Sequence, residues 1–143
     1  SELLIAGAGP LSDEVQAAAR YDTSIKALGY LGQLELTAAY ERSSLALFTS
    51  LCFEAHPISL ITSLAYGRAV LAVDSETTRL HVTDKTGWLA RPTSEAIGTA
   101  LCNALDDPSG LQERGRNARA SFVELGKRPS KRLAQIYDEL CRD

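Results

Sequence analysis

The segment from residue 53 to residue 70 carries the side chains best suited to chemistry in this chain. It reads FEAHPISLITSLAYGRAV, so Glu54 stands just before a proline and an apolar helical repeat. A carboxylate there lies beside the backbone N–H groups of a helix start, which carry the positive end of the helix dipole. Such groups hold a phosphate or stabilise charge that develops on a diphosphate leaving group. A simple helix cap by Glu54 or Ser59 is the alternative interpretation.

Two glycine turns are further candidates for ligand contact. Gly7 and Gly9 follow the first apolar run, as in a dinucleotide-binding fingerprint, but Ser12 occupies the third glycine position. No acidic residue stands about 20 residues further on. The pattern therefore disfavours a nicotinamide-dependent oxidoreductase and favours a tight turn, whose backbone a ligand can still approach. The second turn is Gly29-Tyr30-Leu31-Gly32.

Histidine and cysteine spacing points to neither a triad nor a metal site. His56 and His81 have no Ser, Cys or Asp partner at a recognised spacing. Cys52, Cys102 and Cys141 are odd in number and far apart. We therefore predict no metal, no disulfide framework and a reducing compartment.

Composition limits the class of protein. The chain has 143 residues, 45% hydrophobic and 23% charged, which excludes disorder and fits one compact domain. The net charge of -3 argues against a nucleic-acid partner, and no run of about 18 apolar residues is present. We expect a soluble cytoplasmic protein. The absence of Met and the apolar start at residues 1–5 predict a fragment of a longer protein.

Short apolar runs alternate with amphipathic stretches, which is typical of βα units. The expected fold is α/β: a Rossmann-like three-layer domain with a parallel sheet of about five strands, helices on both faces and a helical C-terminal tail. The first strand is expected to be buried on both faces. The predicted strands are Leu3–Ala6, Ile25–Leu28, Leu45–Phe48, Ala69–Val73 and Gly87–Ala90.

Capping residues predict where the helices begin and end. Ser12, Thr93 and Asp107 are expected to cap helix starts, and Gly67 to end a helix. A break near Gly126 and a last helix from Pro129 to about Cys141 are predicted in the tail. The basic run from Arg114 to Arg132 is interpreted as a solvated helical face, with an acidic partner as the alternative.

Ligands of open α/β sheets bind at the carboxyl ends of the strands. We therefore expect the loops 7–10, 29–32, 49–57 and 74–78 to converge.

The order of these segments resembles the C-terminal, nucleotide-sugar-binding domain of retaining glycosyltransferases of family 4, which have the GT-B fold. Leu3–Pro10 looks like the family's first strand and glycine turn, and Thr86-Gly87-Trp88-Leu89 and Ile136–Leu140 look like its closing elements. Five residues fall at the family's signature positions, which are a Ser, the first Glu, an Ala, a Gly and a Val. In this order they are Ser50, Glu54, Ala65, Gly67 and Val70.

The resemblance implies transfer of a sugar from a nucleotide diphosphate sugar, with retention, to an unidentified acceptor. It implies a catalytic role for Glu54 near the transferred sugar. Thr62 occupies the position of the family's second glutamate, which contacts the ribose. The nucleobase would lie against the backbone of Gly29, Tyr30 and Leu31. The other donor-binding residues are Gly7, Gly9, His56, Ile58 and Ser59, the last two near the phosphates. The donor is a substrate, and neither a metal nor another cofactor is implied.

The resemblance also implies that residues 1–143 are one donor-binding domain. The N-terminal acceptor domain and the first βα unit would then be absent. A sugar, lipid or other acceptor, and any peripheral membrane contact, would belong to that missing domain, and the isolated chain would be inactive. The alternative is a non-catalytic α/β interaction domain or a degenerate glycosyltransferase relative, which Thr62 in place of a glutamate favours.

Overall fold

The structure is a computed structural model that describes residues 1–141, without the side chains of residues 128–131 and 140. The chain forms two compact units. The first is Ser1–Arg42, and the second begins at Ser43.

The first unit contains β1 (Leu3–Ala6), α1 (Ser12–Tyr21), β2 (Ile25–Gly29) and α2 (Gln33–Arg42). The strands are parallel, with Leu3 opposite Ile25 and an irregularity between Ile5 and Ala6. The predicted position of the first strand is confirmed, but its predicted burial is wrong, since none of residues 1–42 is fully buried. The physical reason is that β1 hydrogen-bonds to β2 alone in the part of the chain that the structure describes.

The second unit contains three parallel strands, with β4 in the centre. All five predicted strands are therefore present and the α/β class is confirmed, but they hydrogen-bond as two sheets instead of one. The helices α3, α5 and α6 all contact β4. The elements of this unit are β3 (Leu45–Phe48), α3 (Ile58–Ala65), β4 (Ala69–Val73), α4 (Glu76–Arg79), β5 (Gly87–Ala90), α5 (Ser94–Leu105) and α6 (Pro108–Leu140).

The core of the second unit forms around β4. Every residue of the sequence Ala-Val-Leu-Ala-Val is buried, because the strand is paired on both edges and covered by helices. Removing this apolar surface from water is the main favourable contribution to folding. The buried cluster consists of Leu60, Leu64, Val70, Ala72, Val82 and Ala118.

Two of the three predicted helix caps are confirmed. The Thr93 hydroxyl accepts from the Ala96 N–H at 3.2 Å, and the Asp107 carboxylate from the Gly110 N–H at 2.9 Å. The cap by Ser12 is wrong, because α1 begins at Ser12 itself and the hydroxyl exchanges hydrogen bonds with the backbone of Gly9.

Helix α6 runs without interruption through the predicted break at Gly126, so that prediction is wrong. Gly126 does not adopt the positive φ of a helix C-cap, in contrast to Gly67, whose φ of 64° ends α3 as predicted.

The basic run on α6 is only partly a solvated face. The Arg114 guanidinium lies 4.4 Å from the centre of the Trp88 ring. The Arg119 guanidinium donates to the Ala65 carbonyl at the end of α3 and lies over Phe122. Arg114 thus contacts β5 and Arg119 contacts α3, so their charge is not available in full to an acidic partner. Among residues 1–141 there is no helix with both the length and the apolar character needed to cross a membrane.

Helix α6 approaches the end of α3 at a pair of glycines. A Cβ on Gly115 would lie 2.5 Å from the Gly67 carbonyl oxygen, which is closer than van der Waals contact allows. Backbone lies on both sides of this contact, so relief requires the helix to move.

We expect Gly115→Ala to lower the free energy of unfolding by about 1–3 kcal/mol, the usual effect of overpacking. Gly98→Ala is the matched control, because Gly98 is also inside a helix but a Cβ there would meet nothing within 4 Å. The control should gain about 0.5–1 kcal/mol from helix propensity. Urea unfolding of both variants measures the difference, and equal effects would show that the glycine contact is unimportant.

Candidate functional site

The two predicted glycine turns of the first unit are hydrogen-bonded to each other. The Gly7 N–H donates to the Gly29 carbonyl at 2.7 Å, where β1 and β2 end. Gly7 has a φ of 137° and Gly29 of 64°, conformations that other residues rarely adopt. A Cβ at either position would meet nothing within 4 Å, so the backbone is open on that side.

The other candidates of the first unit surround these turns. The Gly9 N–H donates to the Ser12 hydroxyl at 3.0 Å, Tyr30 is 83% exposed and Leu31 is half-buried. A depression of about 440 Å³ between α1 and β2 includes none of the candidate residues.

Glu54 lies in the loop between β3 and α3, in the second unit. The Ser50 hydroxyl donates to Glu54 Oε1 at 3.2 Å, and the Cys52 N–H donates to the Ser50 hydroxyl at 3.3 Å. The carboxylate is partly buried. Ser50 therefore orients Glu54 within the loop.

The N-cap residue of α3 is Pro57, whose side chain makes no capping hydrogen bond. Neither Glu54 nor Ser59 therefore occupies the N-cap position. Pro57 is fully buried, while Ile58 is 76% exposed. Thr62 is half-buried and stands one helical turn after Ile58, on the same face. This face of the helix start is accessible to a ligand.

The structure brings together two histidines that their spacing gave no reason to associate. The rings of His56 and His81 lie 6.1 Å apart, edge to face at 82°. Burial, and then the charge of His56, lower the pKa of His81. His81 Nδ1 is buried and has no hydrogen-bond partner. The contact is tertiary, because it joins the loop before α3 to the segment that follows α4.

Two arginines that flank β4 are already engaged: Arg68 directly precedes the strand, and Arg79 lies after its carboxyl end. The Arg68 guanidinium donates to the Tyr66 and Ser43 carbonyls at 2.8 and 2.5 Å. The Arg79 guanidinium forms a bidentate pair with Asp74 at 2.6 and 2.8 Å, which lowers the pKa of Asp74. Neither cation is therefore presented as an isolated anion-binding group.

Thr78 organises the segment that leads to His81. Its hydroxyl donates to the Val73 carbonyl at 2.6 Å and accepts from the Ser75 N–H at 2.9 Å. Its carbonyl accepts from the N–H groups of His81 and Val82. Thr78 is 1% exposed, so these bonds are shielded from water.

We expect Thr78→Val to lower the free energy of unfolding by about 1–3 kcal/mol, because it removes a hydrogen-bond partner from the buried Val73 and from the Ser75 N–H. Thr77→Val makes the same change one residue earlier, where the side chain is half-buried. It should change stability by less than about 0.5 kcal/mol. Thermal unfolding compares the two, and an equal loss in both would contradict the importance of the Thr78 network.

Metal-binding clusters are absent from the described part of the chain, in which no three His, Cys, Asp or Glu side chains could together hold an ion. The cysteines 52, 102 and 141 are exposed free thiols.

Residues 1–107 match the family model of glycosyl transferases group 1. The match includes every candidate residue of both units, and the chain belongs to this family. A search of curated proteins found no significant match.

Several solved structures share the fold of this chain. Sucrose-phosphate synthase from Thermosynechococcus elongatus has a TM-score of 0.80 at 19% identity, over 99% of this chain and 39% of that chain. TarM has a TM-score of 0.77 at 19% identity, over 97% of this chain and 28% of that chain. HepE from Anabaena, solved in complex with UDP, has a TM-score of 0.73 at 17% identity, over 94% of this chain and 41% of that chain. The fold is thus the Rossmann-like fold of GT-B proteins, and the chain spans about two fifths or less of these structures.

Proposed function

We propose that the chain binds a nucleoside diphosphate sugar as the donor-binding domain of a retaining glycosyltransferase of family 4. The observation that carries the proposal is Glu54, held by Ser50 in the loop that precedes α3. Membership of the group 1 glycosyl transferases supports it. HepE in complex with UDP, and a TarM mutant in complex with UDP and alpha-GlcNAc-glycerol, support the donor class and a glycosylated acceptor.

In this proposal the diphosphate binds at the N-terminus of α3, near Ile58 and Ser59. The backbone N–H groups and the helix dipole stabilise the negative charge that grows on the diphosphate as the sugar leaves. The site works without a resident metal or cofactor, because the helix start supplies the positive potential. His56, directly before Pro57, lies at the same helix start.

Glu54 faces the transferred sugar in this proposal. Glycosyl transfer develops positive charge at the anomeric carbon, which a fixed carboxylate stabilises. The hydrogen bond from Ser50 reduces the freedom of the carboxylate before the donor binds. Thr62 offers a hydroxyl to the ribose in place of a carboxylate. Because the hydroxyl is uncharged, its hydrogen bond to the ribose is weaker.

The first unit is proposed to contact the nucleobase through the backbone of Gly29, Tyr30 and Leu31, beside Gly7 and Gly9. The open space at the three glycines supports an approach by a ligand to the backbone. Acceptor binding and any peripheral membrane contact are assigned to a domain outside residues 1–143. A cytoplasmic location stays a prediction.

We expect UDP, GDP or ADP to shift backbone amide NMR signals of residues 29–31 and 54–62. Thr62→Ala should weaken binding of the active nucleotide about three- to ten-fold, the value of one neutral hydrogen bond. Thr99→Ala, on an exposed position of α5, is the matched control and should leave binding unchanged.

Glu54→Gln should reduce transfer by the full-length protein far more than it reduces nucleotide binding, because the carboxylate faces the sugar. Glu95→Gln, in the first turn of α5, controls for the loss of one negative charge.

In the nucleotide titration, amide NMR shifts confined to residues outside 29–31 and 54–62 would contradict the proposed site.

A non-catalytic α/β interaction domain is the second candidate. The threonine at position 62 favours it, as does the pairing of Arg79 with Asp74 after the carboxyl end of β4. This candidate predicts no binding of any of the three nucleotides.

A further inference from the structure

Helix α6 continues its packed face into a part of the helix that is exposed. In the first half of the helix this face is covered: Leu111 is 7% exposed, Ala118 is fully buried and Phe122 packs against the core cluster. Leu133 follows Phe122 by about three helical turns, so it lies on the same face. Residues 132–139 are all exposed. The face that attaches α6 to the second unit is therefore uncovered near the end of the helix.

This uncovered part carries an apolar stripe. Leu133, Ile136 and Tyr137 have the spacing i, i+3 and i+4, which places them side by side on the helix, and they are 55%, 37% and 61% exposed. Leu140 continues the spacing by one turn in the sequence. A stripe of large apolar side chains on an exposed helix is typical of a surface that packs against another helix.

Charges of opposite sign flank the stripe on one side. Arg132 and Glu139 are both exposed and lie about two helical turns apart, so they share one flank of the stripe. When two copies of this helix pack antiparallel, equal flanks face each other. With Leu133 opposite Ile136 of the second copy, Arg132 lies beside Glu139 of the second copy. The two-fold symmetry of such a pair then repeats the contact with the roles exchanged.

Other arrangements do not match these charges. In a parallel pair, equal residues lie at the same height, so Arg132 and Glu139 stay about two turns apart and neither meets the opposite charge. An anionic membrane surface would be repelled by Asp138 and Glu139, which are both exposed. The charge pattern therefore favours a second, antiparallel copy of the chain.

We propose that the stripe, residues 132–140 of α6, is a self-association surface on which a second copy of the chain packs antiparallel, with two symmetric Arg132–Glu139 pairs. The inference is independent of nucleotide binding, since α6 begins after residues 1–107, which match the family model. The stripe is about two turns long, and an interface of this size associates weakly, at high protein concentration.

The experiment is sedimentation equilibrium of the 143-residue chain from about 10 µM to about 1 mM, the range expected for a weak interface. A reducing agent is present, because the cysteines 52, 102 and 141 are exposed free thiols. The average mass should rise with concentration toward twice that of one chain.

Leu133→Ser should weaken association at least about ten-fold, because both copies lose apolar surface that the dimer buries. Leu34→Ser is the matched control: Leu34 lies in α2 and is 86% exposed. It should leave association unchanged. Since both side chains are exposed, both variants should fold, which circular dichroism verifies.

Charge variants test the antiparallel register. Arg132→Glu and Glu139→Arg each create two contacts between like charges, so each variant should self-associate about five- to ten-fold more weakly. An equimolar mixture of the two variants should recover the original affinity, because charges of opposite sign then face each other at both contacts. Glu95→Arg, in the first turn of α5, controls for the change of net charge and should have little effect.

Each outcome decides one part of the proposal. A chain that is monomeric at every concentration overturns the self-association surface. An equal loss in Leu34→Ser and Leu133→Ser overturns the role of the stripe. Failure of the mixture to recover affinity overturns the antiparallel register. None of these results depends on whether the chain binds a nucleotide, so failure of the proposed function is recognised separately.

Discussion

The complete burial of β4 is the constraint on which the second unit depends. A strand with five consecutive buried residues needs a paired strand on each edge and helices against its faces, and β3, β5, α3, α5 and α6 provide them. Parallel pairing then brings the carboxyl ends of the three strands to one edge of the sheet. The loop with Glu54 and the segment with Asp74 lie at that edge for this reason.

Helix α6 is held against the rest of the second unit by close backbone packing and by an arginine. Gly115 allows the helix backbone to approach Gly67, and Ala118 fills the core beneath it. Arg119 then donates to the Ala65 carbonyl, an acceptor left over at the end of α3. The apolar stems of such arginines cover apolar surface while their guanidinium groups bond to the backbone. A basic stretch that resembles a binding surface in the sequence thus stabilises the helix that completes the core.

The candidate site combines groups of different origin. The helix dipole at α3 is a property of backbone geometry, while Glu54 and Thr62 belong to a family motif with one substituted position. The histidine pair belongs to neither, since it depends on the packing of Val82 and Pro57. The site has a threonine at the position of the family's second carboxylate, and Arg79, after the carboxyl end of β4, is paired with Asp74.

Local patterns predicted the element order and the α/β class, because strand and helix periodicity and caps such as Thr93 and Asp107 act over a few residues. Glu54 and the glycine turns could also be located from the sequence, because they belong to local motifs. Only the tertiary structure decided the exposure of β1, the continuity of α6 through Gly126 and the meeting of His56 with His81. Each of these depends on contacts between segments distant in the chain, or on whether such contacts are present, and local patterns carry no information about them.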